Sequence, residues 1–196
     1  QLKNQLGLPD LSPIHRIDRD TAGLVLLSTQ RSDRGAYQAL FREQRVHKTY
    51  QAIAPYRPEL GFPREHHSRM QESGHFIRMH EVAGPPNSHT RLTLLEHNTH
   101  WARYQLEPIS GKRHQLRVHM AALGIGILGD GLYPEVNDAP EGDFSRPLRL
   151  LAQAIAFTDP LTQQQRHFHS QYTLGALPPA PAPSGQQTWQ GLPANA

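Results

Sequence analysis

Four short stretches of this chain alternate apolar and polar residues with a period of two, and that rhythm restricts the fold more than any other feature. VHKTYQAIA (46–54), FIRMHEV (76–82), TRLTLLEH (90–97) and HWARYQLEPI (100–109) all carry it. Successive strand side chains point to opposite faces, so such stretches read as half-buried strands. The last three follow at short intervals, with Gly84-Pro85-Pro86 marking a turn, and predict an antiparallel meander. LVLLS (24–28) is an unbroken apolar run of strand length, the pattern of a central strand covered on both faces. LRLLAQAIAF (148–157) reads as a further strand.

Two segments have helical spacing instead. In RSDRGAYQALFRE (31–43), Ala36, Leu40 and Glu43 with Tyr37 and Phe41 recur three or four apart, with arginines on other faces. In HQLRVHMAALG (114–124), Leu116, Met120 and Leu123 form the apolar set, Gly124 is the expected C-cap, and Arg113, Arg117 and His114 are expected on the polar side. Residues 1–14 read as a short helix or linker. Residues 55–75, with Pro55, Pro58, Gly61, Pro63 and Gly74, read as an exposed loop. The expected class is α+β, a mixed, largely antiparallel sheet with flanking helices and loops. From about Leu177 the chain turns to LPPAPAPSGQQTWQGLPANA, which cannot build a core. Residues 1–176 are therefore expected to form the domain and 177–196 a disordered tail.

Composition removes several chemistries. The 196 residues contain no cysteine, which excludes a disulfide scaffold, a thiolate metal site and a cysteine nucleophile. No apolar run approaches the length of a membrane span, so no membrane partner and a cytoplasmic location are expected. The net charge of +3 is too small to demand a polyanionic partner, but all but three of the 20 basic residues are arginine, which grips phosphate with a forked geometry and stacks on bases. Coding bias and solvated faces would explain the same richness. The 13 histidines, including His66-His67, His75, His80 and His167-Phe168-His169, lack the carboxylate-supported spacing of hydrolytic zinc sites, and no metal is expected. GILGDGLYP (126–134) matches no phosphate-loop pattern and reads as a turn near the site.

The densest chemistry lies in HRIDRDTAG (15–23), where Asp18 and Asp20 sit among His15, Arg16 and Arg19. A carboxylate beside arginine stays ionised and can act as nucleophile or base. The same residues would also make a salt-bridged turn capped by Asp20 or Thr21. GKRHQLRVH (111–119) has the composition of a phosphate clamp at a helix start, and equally that of a solvated helix face.

Taken together, in order and spacing, these segments resemble a known family. HRIDRDTAGLVLLS is similar to the signature HRLDRxTSGLLLLA, VHKTYQAI to a KxYxA strand, and ISGKRHQLRVHMAALGIGILGDGLYP to TGRTHQLRVHLAxxGxPIxGDxxYG. From about residue 8 to 160 the chain resembles the RluA/RsuA-type pseudouridine synthases, nearest the RluA branch. The resemblance implies the pseudouridine synthase fold and isomerisation of uridine in structured RNA, ribosomal or transfer, by a monomer that uses no cofactor. It makes Asp18 the catalytic carboxylate, Arg117 its pairing cation, and Tyr50 the ring that stacks on the flipped-out base and assists removal of the C5 proton. Arg16, Arg19, Lys112, Arg113 and His114 are the expected RNA contacts. The chain departs from the pattern at Lys112 and Arg113 (usually Arg-Thr), at Ala22 (often Ser), and at Leu151, where a later motif would place His. The early strand with an NKPxG-like motif, expected before HRID, is missing, and the domain is read as N-terminally incomplete. A catalytically silent RNA-binding domain of the same descent is the alternative.

Overall fold

The computed structural model describes residues 1–74, 78–136 and 145–180. In chain order these form α1 (Leu2–Leu6), β1 (Ser12–Pro13), β2 (Ala22–Gly23), β3 (Leu27–Ser28), α2 (Arg34–Arg42), β4 (His47–Pro55), β5 (Arg64–Glu72), β6 (Met79–Val82), β7 (Ser88–His97), β8 (Trp101–Pro108), α3 (Gln115–Ala122), β9 (Leu150–Thr158) and β10 (Gln165–His169), with a 3-10 turn at Pro58–Leu60. Seven strands run in the order β10-β9-β4-β8-β7-β5-β6, every neighbouring pair antiparallel, and β2 adds a short parallel pairing to β9. The sheet is mixed and largely antiparallel, as expected.

The main core lies between α3 and the middle of this sheet. Alternation on β4 sends Ala52 and Ala54 to the α3 side, where they meet Leu92, Ala102, Tyr104, Leu106, Leu116 and Met120. Small residues at 52 and 54 leave room for the Tyr104 ring, whose hydroxyl escapes burial cost by donating to the Pro55 carbonyl at 2.9 Å. Ile53 points the other way, onto Leu151 and Leu174. A third cluster joins α2 to the far end of β9, Leu40 packing with Val46, Ile155 and Phe157.

Several sequence expectations are corrected here. LVLLS is not a central strand: only Leu27–Ser28 pairs, and with β1, while Leu24 and Leu26 pack against the α2 cluster. Its apolarity serves packing under a helix, not burial inside the sheet. The loop expected over 55–75 ends at Pro63, and Arg64–Glu72 is a nine-residue strand on β7. Its inward positions include Ser68, a polar residue, which hides the alternation. The meander is interrupted, because β6 pairs with β5 and β5 lies between it and β7. Of FIRMHEV, Phe76 and Ile77 lie outside the described residues. Helix α3 has no solvated polar side of the expected kind, since Gln115 to Met120 are all buried, Arg117 and His119 included. Leu177 packs against the Ile53 cluster and the Pro178 carbonyl accepts from Asn98 Nδ2 at 2.9 Å, so the start of the presumed tail is held to the domain. Residues 181–196 lie outside the described residues.

Gly23 shows how tightly the segment after HRID is laid on the sheet. Its φ is +108, and a Cβ there would stand 2.3 Å from the Ala152 carbonyl oxygen, inside the β2–β9 pairing. Gly23→Ala is therefore expected to cost at least about 2 kcal/mol, from the strained backbone and the clash with another backbone. A fall in the urea midpoint at unchanged slope would register it.

Candidate active site

The Asp18 loop is built by short-range hydrogen bonds and one imidazole. The Thr21 amide donates to the Asp18 carbonyl at 3.0 Å and closes a tight turn over Arg19 and Asp20. His15 fastens the turn to the domain: its Nε2 accepts from the Leu26 amide at 3.0 Å, its Nδ1 lies 3.2 Å from the Arg16 carbonyl, and its ring stacks on Phe41 at 4.5 Å. Accepting at Nε2 requires a neutral ring with its proton on Nδ1. Burial pushes the His15 pKa down, which favours that state.

Strand β4 brings up the second component. Between Thr49 and Tyr50 the register with β9 slips by one residue, leaving Gln153 as a bulge. Two apart on β4, Lys48 and Tyr50 share one face of the strand, and both line the cleft that holds Asp18. Tyr50 has its pKa raised to about 12, first by burial and then by the Asp18 charge. Burial also lowers the Lys48 pKa.

The third component is the loop before α3, fixed by Gln115. This buried amide accepts from the Ser110 hydroxyl at 2.7 Å and the Lys112 amide at 3.0 Å, and donates to the His89 carbonyl at 2.9 Å and Thr90 Oγ1 at 3.0 Å. One side chain thus ties the loop to β7. The loop delivers Lys112, Arg113 and His114 to the cleft, where His114 Nε2 stands 3.9 Å from Asp18 Oδ1. The cleft is about 290 Å³ and is lined by Arg16, Asp18, Lys48, Tyr50, Lys112 and His114 among others.

Two expected site residues are elsewhere. Arg19 is on the outside of the turn, its side chain 80% exposed and paired with Asp20 at 3.2 Å. Arg117 is buried behind the cleft, and its fork closes on Asp130, Nε to Oδ2 at 2.8 Å and Nη2 to Oδ1 at 2.6 Å. The expected direct pairing of Arg117 with Asp18 is corrected: among the described residues no Arg or Lys nitrogen comes within 4.0 Å of the Asp18 carboxylate. The physical reason is bidentate geometry, which commits the guanidinium to the carboxylate that can offer both oxygens. Burial alone would loosen the Arg117 proton, but the Asp130 hydrogen bonds and charge, with smaller help from Asp18 and Asp20, hold its pKa above the usual value. Asp130 Oδ1 also accepts from the Leu132 and Tyr133 amides at 2.8 and 3.1 Å. Gly129 makes that turn possible, with φ +77 and no room for a Cβ against Pro147.

The model of the RNA pseudouridylate synthase family matches residues 1–122. The chain belongs to that family. Among relatives, an uncharacterised RNA pseudouridine synthase of Haemophilus influenzae is 33% identical over 141 residues, 66% of this chain and 57% of that protein. The dual-specificity RNA pseudouridine synthase RluA of Pasteurella multocida is 32% identical over 164 residues, 80% of this chain and 71% of that protein. The ribosomal large subunit pseudouridine synthase C of Vibrio cholerae is 32% identical over 162 residues, and the chain spans 51% of its length. The solved structure of human RNA pseudouridylate synthase domain containing 1 superposes with a TM-score of 0.71 at 24% identity, covering 86% of this chain and 73% of that one, a likeness of fold.

Within this pseudouridine synthase domain, sequence reasoning passed over Lys48, Asp130 and Tyr133. Lys48 could have been found from the first position of KTYQA, and Asp130 from being the one acid in a glycine-rich turn. Two His-containing groups have ligand atoms within 4.8 Å of one another, Glu65-His67-His89 and His66-Glu81-His119. In the first, Glu65 Oε2 meets the Nε2 atoms of His67 and His89 at 3.3 and 3.2 Å. Glu65 takes the Arg91 Nε at 2.8 Å, and His66 Nε2 lies 2.7 Å from Glu81. His119 is ringed by the hydroxyls of Ser68, Ser88 and Thr90 at 3.1, 3.0 and 2.9 Å. Burial first, then the neighbouring histidines, push its pKa down to about 3, leaving a neutral packing element on the sheet-facing side of α3. His75 lies outside the described residues. Arg117→Leu or Asp130→Leu alone should each cost about 3–5 kcal/mol by leaving a buried charge unpaired, whereas the double change should cost less than either. Guanidinium denaturation of the three variants checks this.

Proposed function

We propose that this chain converts specific uridines of structured RNA, ribosomal or transfer, to pseudouridine, with Asp18 as the catalytic carboxylate. The observation that carries the reading is the Asp18 carboxylate facing the same cleft as the Tyr50 ring, beneath a rim of Arg16, Lys48, Lys112 and Arg113, in a chain of this family. The reaction is a redox-neutral isomerisation: the C1′–N1 bond of the uridine breaks, C1′–C5 forms, and the proton on C5 leaves while N1 regains one. Three roles suit an ionised carboxylate here, attack on C1′, addition to the uracil ring, or removal of a 2′ proton.

A cleft of this size, at the lower end of small-molecule sites, suits one extruded base and not a stacked helix. Flipping a nucleotide out costs a few kcal/mol, and stacking on an aromatic face returns about 1–3 kcal/mol. Tyr50 offers that face, and the cations at the rim supply phosphate contacts. A phenol with a pKa of about 12 is ionised in roughly one molecule in 10⁵ at pH 7, so Tyr50 serves better as a stacking platform than as the base for the C5 proton.

With RNA carrying tritium at uridine C5, the wild-type chain should release tritium to water. Asp18→Asn should lower release by at least about 100-fold while RNA affinity stays within a few-fold. Binding without release by the wild type would identify a silent RNA-binding domain, and undiminished release by Asp18→Asn would remove the carboxylate from the reaction.

A further inference from the structure

We infer that His114 is the positioning residue for Asp18, presenting to its carboxylate an Nε2–H that the Tyr133 hydroxyl holds on that nitrogen. The inference deepens the uridine isomerase reading and rests on it for its kinetic part.

The proton assignment follows from a chain of donors and acceptors. Tyr133 is buried, and its hydroxyl oxygen lies 2.7 Å from the Met79 backbone nitrogen and 3.0 Å from His114 Nδ1. A backbone N–H can only donate, so the oxygen accepts from Met79. Its own proton then goes to His114 Nδ1, which must be the unprotonated nitrogen, and the ring proton resides on Nε2. The opposite tautomer would set Nδ1–H against the hydroxyl oxygen and leave a buried O–H without an acceptor, a costly state. Nε2 faces Asp18 Oδ1 at 3.9 Å, longer than a formed hydrogen bond. Catalytic contacts of this kind commonly tighten when substrate closes the site.

Two further features agree. His114 adopts a left-handed backbone, φ +54, uncommon for a residue with a Cβ, in the turn that sets its ring between Tyr133 and Asp18. The groups facing the imidazole are the Asp18 and Asp130 carboxylates, the Arg117 and Arg113 guanidinia and the Tyr133 hydroxyl. Burial lowers its pKa, the two cations reinforce this, and the carboxylates oppose it. A neutral imidazole that donates to Asp18 steers the carboxylate without cancelling its charge. A guanidinium in that place would hold both oxygens.

The test combines spectroscopy with kinetics. In the ¹⁵N-labelled chain, long-range ¹H–¹⁵N correlations should show His114 as the Nε2–H tautomer at neutral pH. Tyr133→Phe should convert it to a mixture, and Asp18→Asn should move its Nε2 resonance. An Nδ1–H ring, or one that ignores both changes, overturns the inference. For tritium release, His114→Gln, whose amide N–H takes the place of Nε2–H, should stay within about 5-fold of wild type. His114→Leu should lose about 30-fold or more in kcat with little change in KM for RNA. Equal losses in both variants, or a loss confined to KM, would make His114 a structural or RNA-contact residue and overturn the positioning role. If the wild type releases no tritium, the isomerase reading fails on its own, and the spectra alone decide the His114–Asp18 contact.

Discussion

The guanidinium of Arg117 clasped by Asp130 joins α3 to the glycine turn that carries Tyr133. One partner sits in the middle of α3 and the other in a glycine turn 13 residues later. The same carboxylate gathers two amides of its turn, so the turn is shaped around the charge it carries. That shape delivers the Tyr133 ring against Met70, Met79 and Val118, with the Arg117 guanidinium 5.4 Å from the ring centroid. A buried ion pair is weak evidence of net stability, since desolvation opposes attraction. Its value here is geometric: two charges that cannot tolerate separation fix helix, turn and strand edge in one arrangement.

The cleft itself depends on polar clips of a different kind. His15 anchors the Asp18 turn from one side through Leu26 and Phe41, and Gln115 anchors the Lys112–His114 loop from the other through β7. Neither clip draws on the other's partners. Between them, the alternation of β4 turns Lys48 and Tyr50 into the gap. Loops carry the chemistry and the sheet keeps them in register, the usual division of labour where catalytic groups must be exposed on a rigid frame.

Legibility in the sequence followed the physics of each segment. TRLTLLEH and HWARYQLEPI could be read because fuller burial of one face imposes alternation, VHKTYQAIA because its first half alternates before Ala52, Ile53 and Ala54 are buried on both faces, and α2 because Leu40 must reach the core. β5 could not, because its inward Ser68 faces Ser88 and His119, and a polar pocket inside a sheet looks like a loop in one dimension. LVLLS misled for the converse reason, since apolar residues packed under a helix resemble those of a central strand. The cleft membership of Asp18, Tyr50 and the 112–114 loop was legible only through the resemblance of their motifs to a known family, since HRIDRDTAG by itself also read as a salt-bridged turn and GKRHQLRVH as a solvated face. The partner of Arg117 was not, because hydrogen-bond geometry between two residues 13 apart leaves no trace in residue type.

The Arg117–Asp130 fork leaves the two carboxylates of this region in different surroundings. Asp130 has its side chain fully buried and accepts a bidentate guanidinium and two amides, so it presents no surface to a ligand in the cleft. Asp18 has a side chain 16% exposed, borders the cleft, and meets an imidazole edge at 3.9 Å instead of a fork. The proposed chemistry needs a carboxylate with an oxygen left uncommitted, to attack carbon or take a proton. Arg117 gives its hydrogen bonds to Asp130, and the nearby Asp18 charge adds to that of Asp130 in holding the guanidinium proton. A single arginine thus locks the scaffold with its fork, and the cleft carboxylate is left without a bidentate partner among the described residues.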